Sequence, residues 1–145
     1  MKPCRPGRDR SSRTAALAAQ LEGDVLDLAA VVGVAVAGAA GALARYGVGR
    51  ALRAVSTEFP WGTFAINVAG CWAIGLAGAV AAHAGMLAPF VRRDVMTGFI
   101  GAFTTFSTFT LESVMLAESA PVAAGLYLLG STAAGLAAAW IGGAL

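Results

Sequence analysis

Charge is what this chain lacks most. Only 12% of its 145 residues are charged, while 58% are hydrophobic and the mean hydropathy is +0.74. A chain so poor in charge cannot clothe a water-facing surface, so its composition assigns it to lipid. The ten Lys/Arg and eight Asp/Glu concentrate in the first part of the chain and in two short clusters further on. The net charge of +2 traces to a head containing Lys2, Arg5, Arg8, Arg10 and Arg13, not to a basic face along an element, which argues against nucleic-acid binding. Cysteine is scarce as well. Cys4 in the polar head and Cys71 in an apolar segment share neither an environment nor metal-ligand spacing, so no disulfide and no cysteine metal site is expected. Also missing are a nucleophile with its base, paired carboxylates and a glycine-rich phosphate loop, which excludes the common catalytic classes. His83 stands alone near a helix end and is assigned no chemistry.

What is present is length in apolar runs. A helix needs about 20 apolar residues to cross roughly 30 Å of hydrocarbon, and four such stretches occur, at about 26–45, 63–84, 95–115 and 122–141. The sequence therefore predicts an all-α membrane protein, with residues 25–145 forming one four-helix transmembrane domain. Residues 1–24 read as an unprocessed basic tail, because the stretch behind the arginines ends in acids, not in a small-residue cleavage site. An even number of spans puts the tail, the second connector and the C-terminus on one side of the membrane. Near the spans, Arg92 and Arg93 on that side face Arg45, Arg50 and Arg53 on the other, close to a tie on which orientation depends. Such balance permits insertion both ways and hence an antiparallel homodimer; the basic head, if counted, tips it. Small residues at helical spacing, Ala37/Gly41, Cys71/Gly75/Ala79 and Gly130/Ala134/Ala138, offer the close backbone approach that holds helices together in lipid.

Polar groups within the spans are few, so each is a candidate. The third segment carries Gly98, Gly101 and then Thr104-Thr105-Phe106-Ser107-Thr108-Phe109-Thr110. Two readings stand side by side: a helix broken at bilayer depth, whose freed carbonyls suit a cation, or an unbroken helix whose hydroxyls bond back to the i−4 carbonyls. Phe103, Phe106 and Phe109 form a stripe that serves packing or, interleaved with hydroxyl donors, presents positive ring edges to an anion. A strongly hydrated anion needs replacement donors to shed its water, and a lining without a buried cation lets it leave again. On the second segment Asn67 follows Thr63 by one turn, with Gly70 next on that face. On the fourth, Tyr127 and Ser131 share a face, although Tyr near an interface is commonly an anchor. Glu112 has three readings: a cap, a partner for Arg45, or a vestibule group. Arg45 closes the first span, where snorkelling to the interface is the common fate.

Taken as an ordered set, the runs Gly38-Ala-Ala-Gly-Ala-Leu-Ala-Arg-Tyr46, Pro60-Trp-Gly-Thr-Phe-Ala-Ile-Asn-Val-Ala-Gly70 and Gly98-Phe-Ile-Gly-Ala-Phe-Thr-Thr-Phe-Ser-Thr-Phe-Thr-Leu-Glu112 resemble the CrcB/Fluc family of fluoride channels. The third run is the most specific. The resemblance covers about Val31 to the C-terminus. It implies an antiparallel, dual-topology dimer of four-helix subunits with the third helix broken, passively exporting fluoride from a bacterial cytoplasm across the inner membrane. It further implies Phe106 and Phe109 as the ring pair of the pore, Asn67 as its amide donor, and Ser107, Thr108, Tyr127 and Ser131 as further polar contacts. Arg45 would sit at a vestibule, and the backbone carbonyls of Gly101 and Thr104 would hold a structural Na+ ion. The partner would be a second copy or a paralogous subunit.

Chemistry alone describes a small-anion pore without fixed charge; the fluoride comes from the resemblance. Two other readings compete. A dual-topology, proton-coupled drug exporter wants an embedded carboxylate, and the first span from Leu28 to Ala44 has none. A non-transporting membrane scaffold would use the Thr/Phe run for packing only.

Overall fold

The computed structural model describes residues 28–52 and 59–145. The basic tail 1–24, the start of the first expected span and the connector residues 53–58, Arg53 and Glu58 among them, lie outside the described residues. Five helices account for nearly all of the rest: α1 (Leu28–Leu52), α2 (Trp61–His83), α3 (residues 88–103), α4 (Phe106–Ser119) and α5 (Pro121–Gly143). Four helical segments are long and apolar enough to cross a membrane, the third being Gly85–Ser119, which contains both α3 and α4. Helices follow from the solvent, since in hydrocarbon every backbone N–H and C=O must be satisfied within the protein.

Helix ends depart from the expected spans where polar residues continue the helix past the hydrocarbon. α1 runs on to Leu52, and helical winding resumes at Ala88, with Pro89 in the first turn, so Arg92, Arg93 and Asp94 belong to α3 and not to the connector. A proline in the first turn loses no helical bond and presets φ. Gly85, at φ +51°, turns the chain between α2 and this restart, a backbone conformation open to glycine without penalty. Within α3, Val91–Ile100 is wound as a π-helix, and the Thr97 hydroxyl accordingly donates to the carbonyl of Arg92, five residues back, at 3.2 Å.

Packing runs through glycine. A Cβ on Gly41 would collide with the Phe99 carbonyl, and one on Gly98 would crowd Ala37, so the Ala37/Gly41 stripe of α1 lies against α3. On α2, Gly75 lies against the Ala139 carbonyl of α5, and Gly142 of α5 against the Trp72 carbonyl. The stripe of α5 that faces α2 is therefore Gly135/Ala139/Gly142, whereas a Cβ on Gly130 would meet no atom within 4 Å. Near one end, Phe59, Phe64, Trp61, Phe109 and Tyr127 form a ring cluster joining α2, α4 and α5, with centroids 4.5 to 6.2 Å apart.

Candidate functional site

The third span is broken at Thr104 and Thr105, both in extended backbone conformation. Two diverted N–H groups explain how the break is held. The Thr105 N–H, which in a continuous helix donates to the Gly101 carbonyl, donates instead to Asn67 Oδ1 at 2.9 Å. The Thr108 N–H, whose helical acceptor would be the Thr104 carbonyl, donates to Thr105 Oγ1 at 3.2 Å and so caps α4; a threonine hydroxyl is a favoured N-cap acceptor. Asn67 Nδ2 completes the clamp by donating to the Thr105 carbonyl at 3.1 Å. One side chain thus bonds both the N–H and the carbonyl of Thr105. Leaving that N–H unsatisfied would cost about 1–3 kcal/mol.

Both readings of the hydroxyl run hold, at different positions. Thr104, Thr110 and Ser113 bond back to the carbonyls of Ile100, Phe106 and Phe109 at 3.1, 2.9 and 2.7 Å, while the Thr105 hydroxyl donates to Thr108 Oγ1 at 2.9 Å across the break.

One face of α2 templates the arrangement at three levels. Thr63 Oγ1 donates to Glu112 Oε1 at 2.9 Å, Asn67 grips Thr105, and a Cβ on Gly70 would collide with the Thr104 methyl. Glycine at 70 lets the break lie directly against α2. Glu112 also accepts from the Tyr127 hydroxyl at 2.9 Å. Tyr127 is 0% exposed, which is incompatible with an interfacial anchor in lipid contact. Arg45 does not pair with Glu112; its Nη1 points to the Thr104 carbonyl at 3.5 Å.

Two clefts flank the break. The first, about 290 Å³, is lined by Arg45, Arg50, Thr63, Thr105, Thr108 and Glu112 among others. The second, about 310 Å³, is lined by Asn67, Gly101, Thr104, Phe106, Phe109 and Ser131, with Cys71 and Ile74. The Phe106 and Phe109 rings lie 6.0 Å apart, and Phe106 is largely exposed. Ser131 Oγ in the second cleft is a buried oxygen without a hydrogen-bond partner among the described residues. Such groups are rare in native structures.

Of the residues singled out in the sequence, Asn67, Gly101, Thr104, Phe106, Phe109 and Ser131 come together in the second cleft, and Arg45 and Thr108 in the first. Ser107 lines neither and sits 3.4 Å from Thr105 Oγ1. Tyr127 stands behind Phe109, with ring centroids 5.1 Å apart, and reaches the first cleft through Glu112 and Phe59. Thr63, Thr105 and Arg50 were not expected among the site residues, although the one-turn spacing of Thr63 and Asn67 carried the signal for the first of them.

A family model described as "CrcB-like protein, Camphor Resistance (CrcB)" matches residues 32–143. Among similar proteins, one from Nitratidesulfovibrio vulgaris is 47% identical over 114 residues, 77% of this chain and 92% of its own length. Another, from Acidobacterium capsulatum, is 50% identical over 111 residues, 75% of this chain and 89% of its own. A third, from Rhizobium etli, is 42% identical over 111 residues, again 75% and 89%. All three carry the name fluoride-specific ion channel FluC.

Proposed function

Because the chain belongs to the CrcB family, we propose that it is a subunit of a fluoride-selective channel, a passive conduit and not an enzyme. The observation that carries this reading is the unpaired Ser131 hydroxyl in a cleft walled by the Phe106 and Phe109 rings. Fluoride holds its water strongly, and a path through lipid must replace that water with donors. A free hydroxyl and positive ring edges do so without a fixed cation that would retain the ion. Asn67 supports the path twice: one N–H holds the break, and its amide nitrogen has a second N–H with no partner among the described residues. Thr108 and Arg45 serve the first cleft, where the arginine attracts the anion and Glu112, already accepting two hydrogen bonds, limits its hold. Ser107 and Tyr127 contribute as supports of Thr105 and Glu112.

The working unit in this reading is an antiparallel homodimer in a bacterial inner membrane, exporting fluoride that entered as uncharged HF and dissociated inside. The diverted Thr105 and Thr108 N–H groups free the Gly101 and Thr104 carbonyls from helical bonding, although Arg45 Nη1 lies 3.5 Å from the latter, and hard oxygen donors of that kind fit a sodium ion. Bound there, Na+ would supply positive charge that neutralises these carbonyl dipoles, while the Asn67 clamp holds their orientation. The test is fluoride efflux from liposomes containing only this chain. Efflux is expected from the wild type and is expected to fall sharply for Phe106→Ile; chloride flux without fluoride flux would refute the reading.

A further inference from the structure

The second cleft has a neighbour toward the other end of α2. Ile74, which lines it, also lines a third cleft of about 510 Å³ formed by Gly78 and Ala81 of α2 with Arg92, Met96 and Thr97 of α3. This third cleft opens beside the N-terminal end of α3, whereas Arg45 and Arg50 stand at the opposite end of the bundle, beside the N-terminal end of α2. Arg92 lies 12 residues before the break at Thr104. It sits in the second turn of α3, near the start of the third span Gly85–Ser119.

Its neighbours in sequence are committed elsewhere. Asp94 is 4% exposed and lies against α1, where a Cβ on Gly33 would collide with its carboxylate. Arg93 grips that carboxylate through Nε and Nη2 at 2.9 to 3.2 Å. The one acid close by is thereby neutralised on the α1 side. Arg92, exposed and on the α2 side, keeps its full charge, with no ion pair among the described residues.

We infer that Arg92 is the anion-gathering residue of the second mouth of the path, drawing fluoride into the third cleft and on past Ile74 toward Ser131 and the ring pair. The inference rests on the channel reading above and deepens it. A single uncompensated cation over an apolar, low-dielectric groove focuses field and raises the local anion concentration. Its position near the start of the span and not at its centre means that it attracts the ion without trapping it at depth.

The experiment compares fluoride efflux from phosphatidylcholine liposomes for the wild type, Arg92→Gln, Arg92→Lys and Arg92→Glu, at about 0.01 M and about 1 M ionic strength, where the Debye lengths are about 30 and 3 Å. Arg92→Gln is expected to lower efflux roughly tenfold at low salt, Arg92→Glu to lower it further and Arg92→Lys to keep it near wild type, with the differences shrinking at high salt. Variants equal to wild type at both salts overturn the inference. So does a loss of equal size at both salts, which marks a structural role, and so does a loss that appears only when anionic phosphatidylglycerol is added, which marks a lipid-headgroup contact. Absence of fluoride flux from the wild type overturns the channel reading itself, whereas wild-type flux indifferent to residue 92 overturns only this one.

Discussion

The clefts on the two sides of the break use polar groups in opposite ways. In the first, donors and acceptors satisfy one another: Thr63 and Tyr127 both bond Glu112, and the Thr105 hydroxyl bonds Thr108. In the second, the walls are rings and small residues, and the Ser131 hydroxyl is unpaired among the described residues. The contrast separates a scaffold from a lining. A satisfied network fixes geometry and resists change, while the buried Ser131 hydroxyl keeps hydrogen-bonding capacity that no described residue uses. Asn67 joins the two, bonding the backbone of the break while lining the second cleft.

Breaking that joint should have the largest effect. Asn67→Ala removes the acceptor of the Thr105 N–H and one donor to its carbonyl, about 2–4 kcal/mol of support for the break, and fluoride efflux should drop about 100-fold or more. Thermal unfolding in detergent should fall in parallel. Gly70→Val comes next, since a side chain there must displace Thr104; overpacking of this kind costs about 1–3 kcal/mol, read as a lower unfolding temperature together with reduced efflux. Ser131→Ala sharpens the comparison most, because the hydroxyl gives up no protein hydrogen bond. Efflux should fall roughly tenfold, the equivalent of about 1.4 kcal/mol, with the unfolding temperature unchanged or slightly raised. Tyr127→Phe should do the reverse on a smaller scale. Losing its bond to Glu112 costs about 1 kcal/mol of stability and leaves efflux within a few-fold of wild type. If Ser131→Ala destabilised the protein and Tyr127→Phe silenced it, the roles of the two clefts would have to be exchanged.

Much of this was legible in the sequence for physical reasons. Apolar runs of spanning length have one meaning in lipid, so the spans were readable; a glycine-then-hydroxyl run signals a place where helical bonding can be diverted, so the position of the break was readable too. Its occurrence was implied by the family resemblance and not by the local residues, because it depends on Asn67 arriving from another helix 38 residues earlier in the chain. The facing stripe of α5 was hidden for a different reason: a helix that is apolar all round has no amphipathic phase, and Gly135/Ala139 look no different from Gly130/Ala134 until α2 is packed against them. Glu112 was seen as a polar oddity, yet its two donors lie on α2 and α5. The starts and ends of helices beyond the hydrocarbon, such as Ala88 and Leu52, leave no hydropathy signal.

The central claim is that the ring-walled cleft conducts fluoride. It is tested most directly by measuring fluoride and chloride efflux side by side from liposomes containing only this chain, wild type and Ser131→Ala. The account predicts fluoride efflux far exceeding chloride efflux in the wild type and a selective loss of fluoride flux in the variant. Equal passage of both anions, or fluoride flux untouched by the loss of the Ser131 hydroxyl, would contradict it.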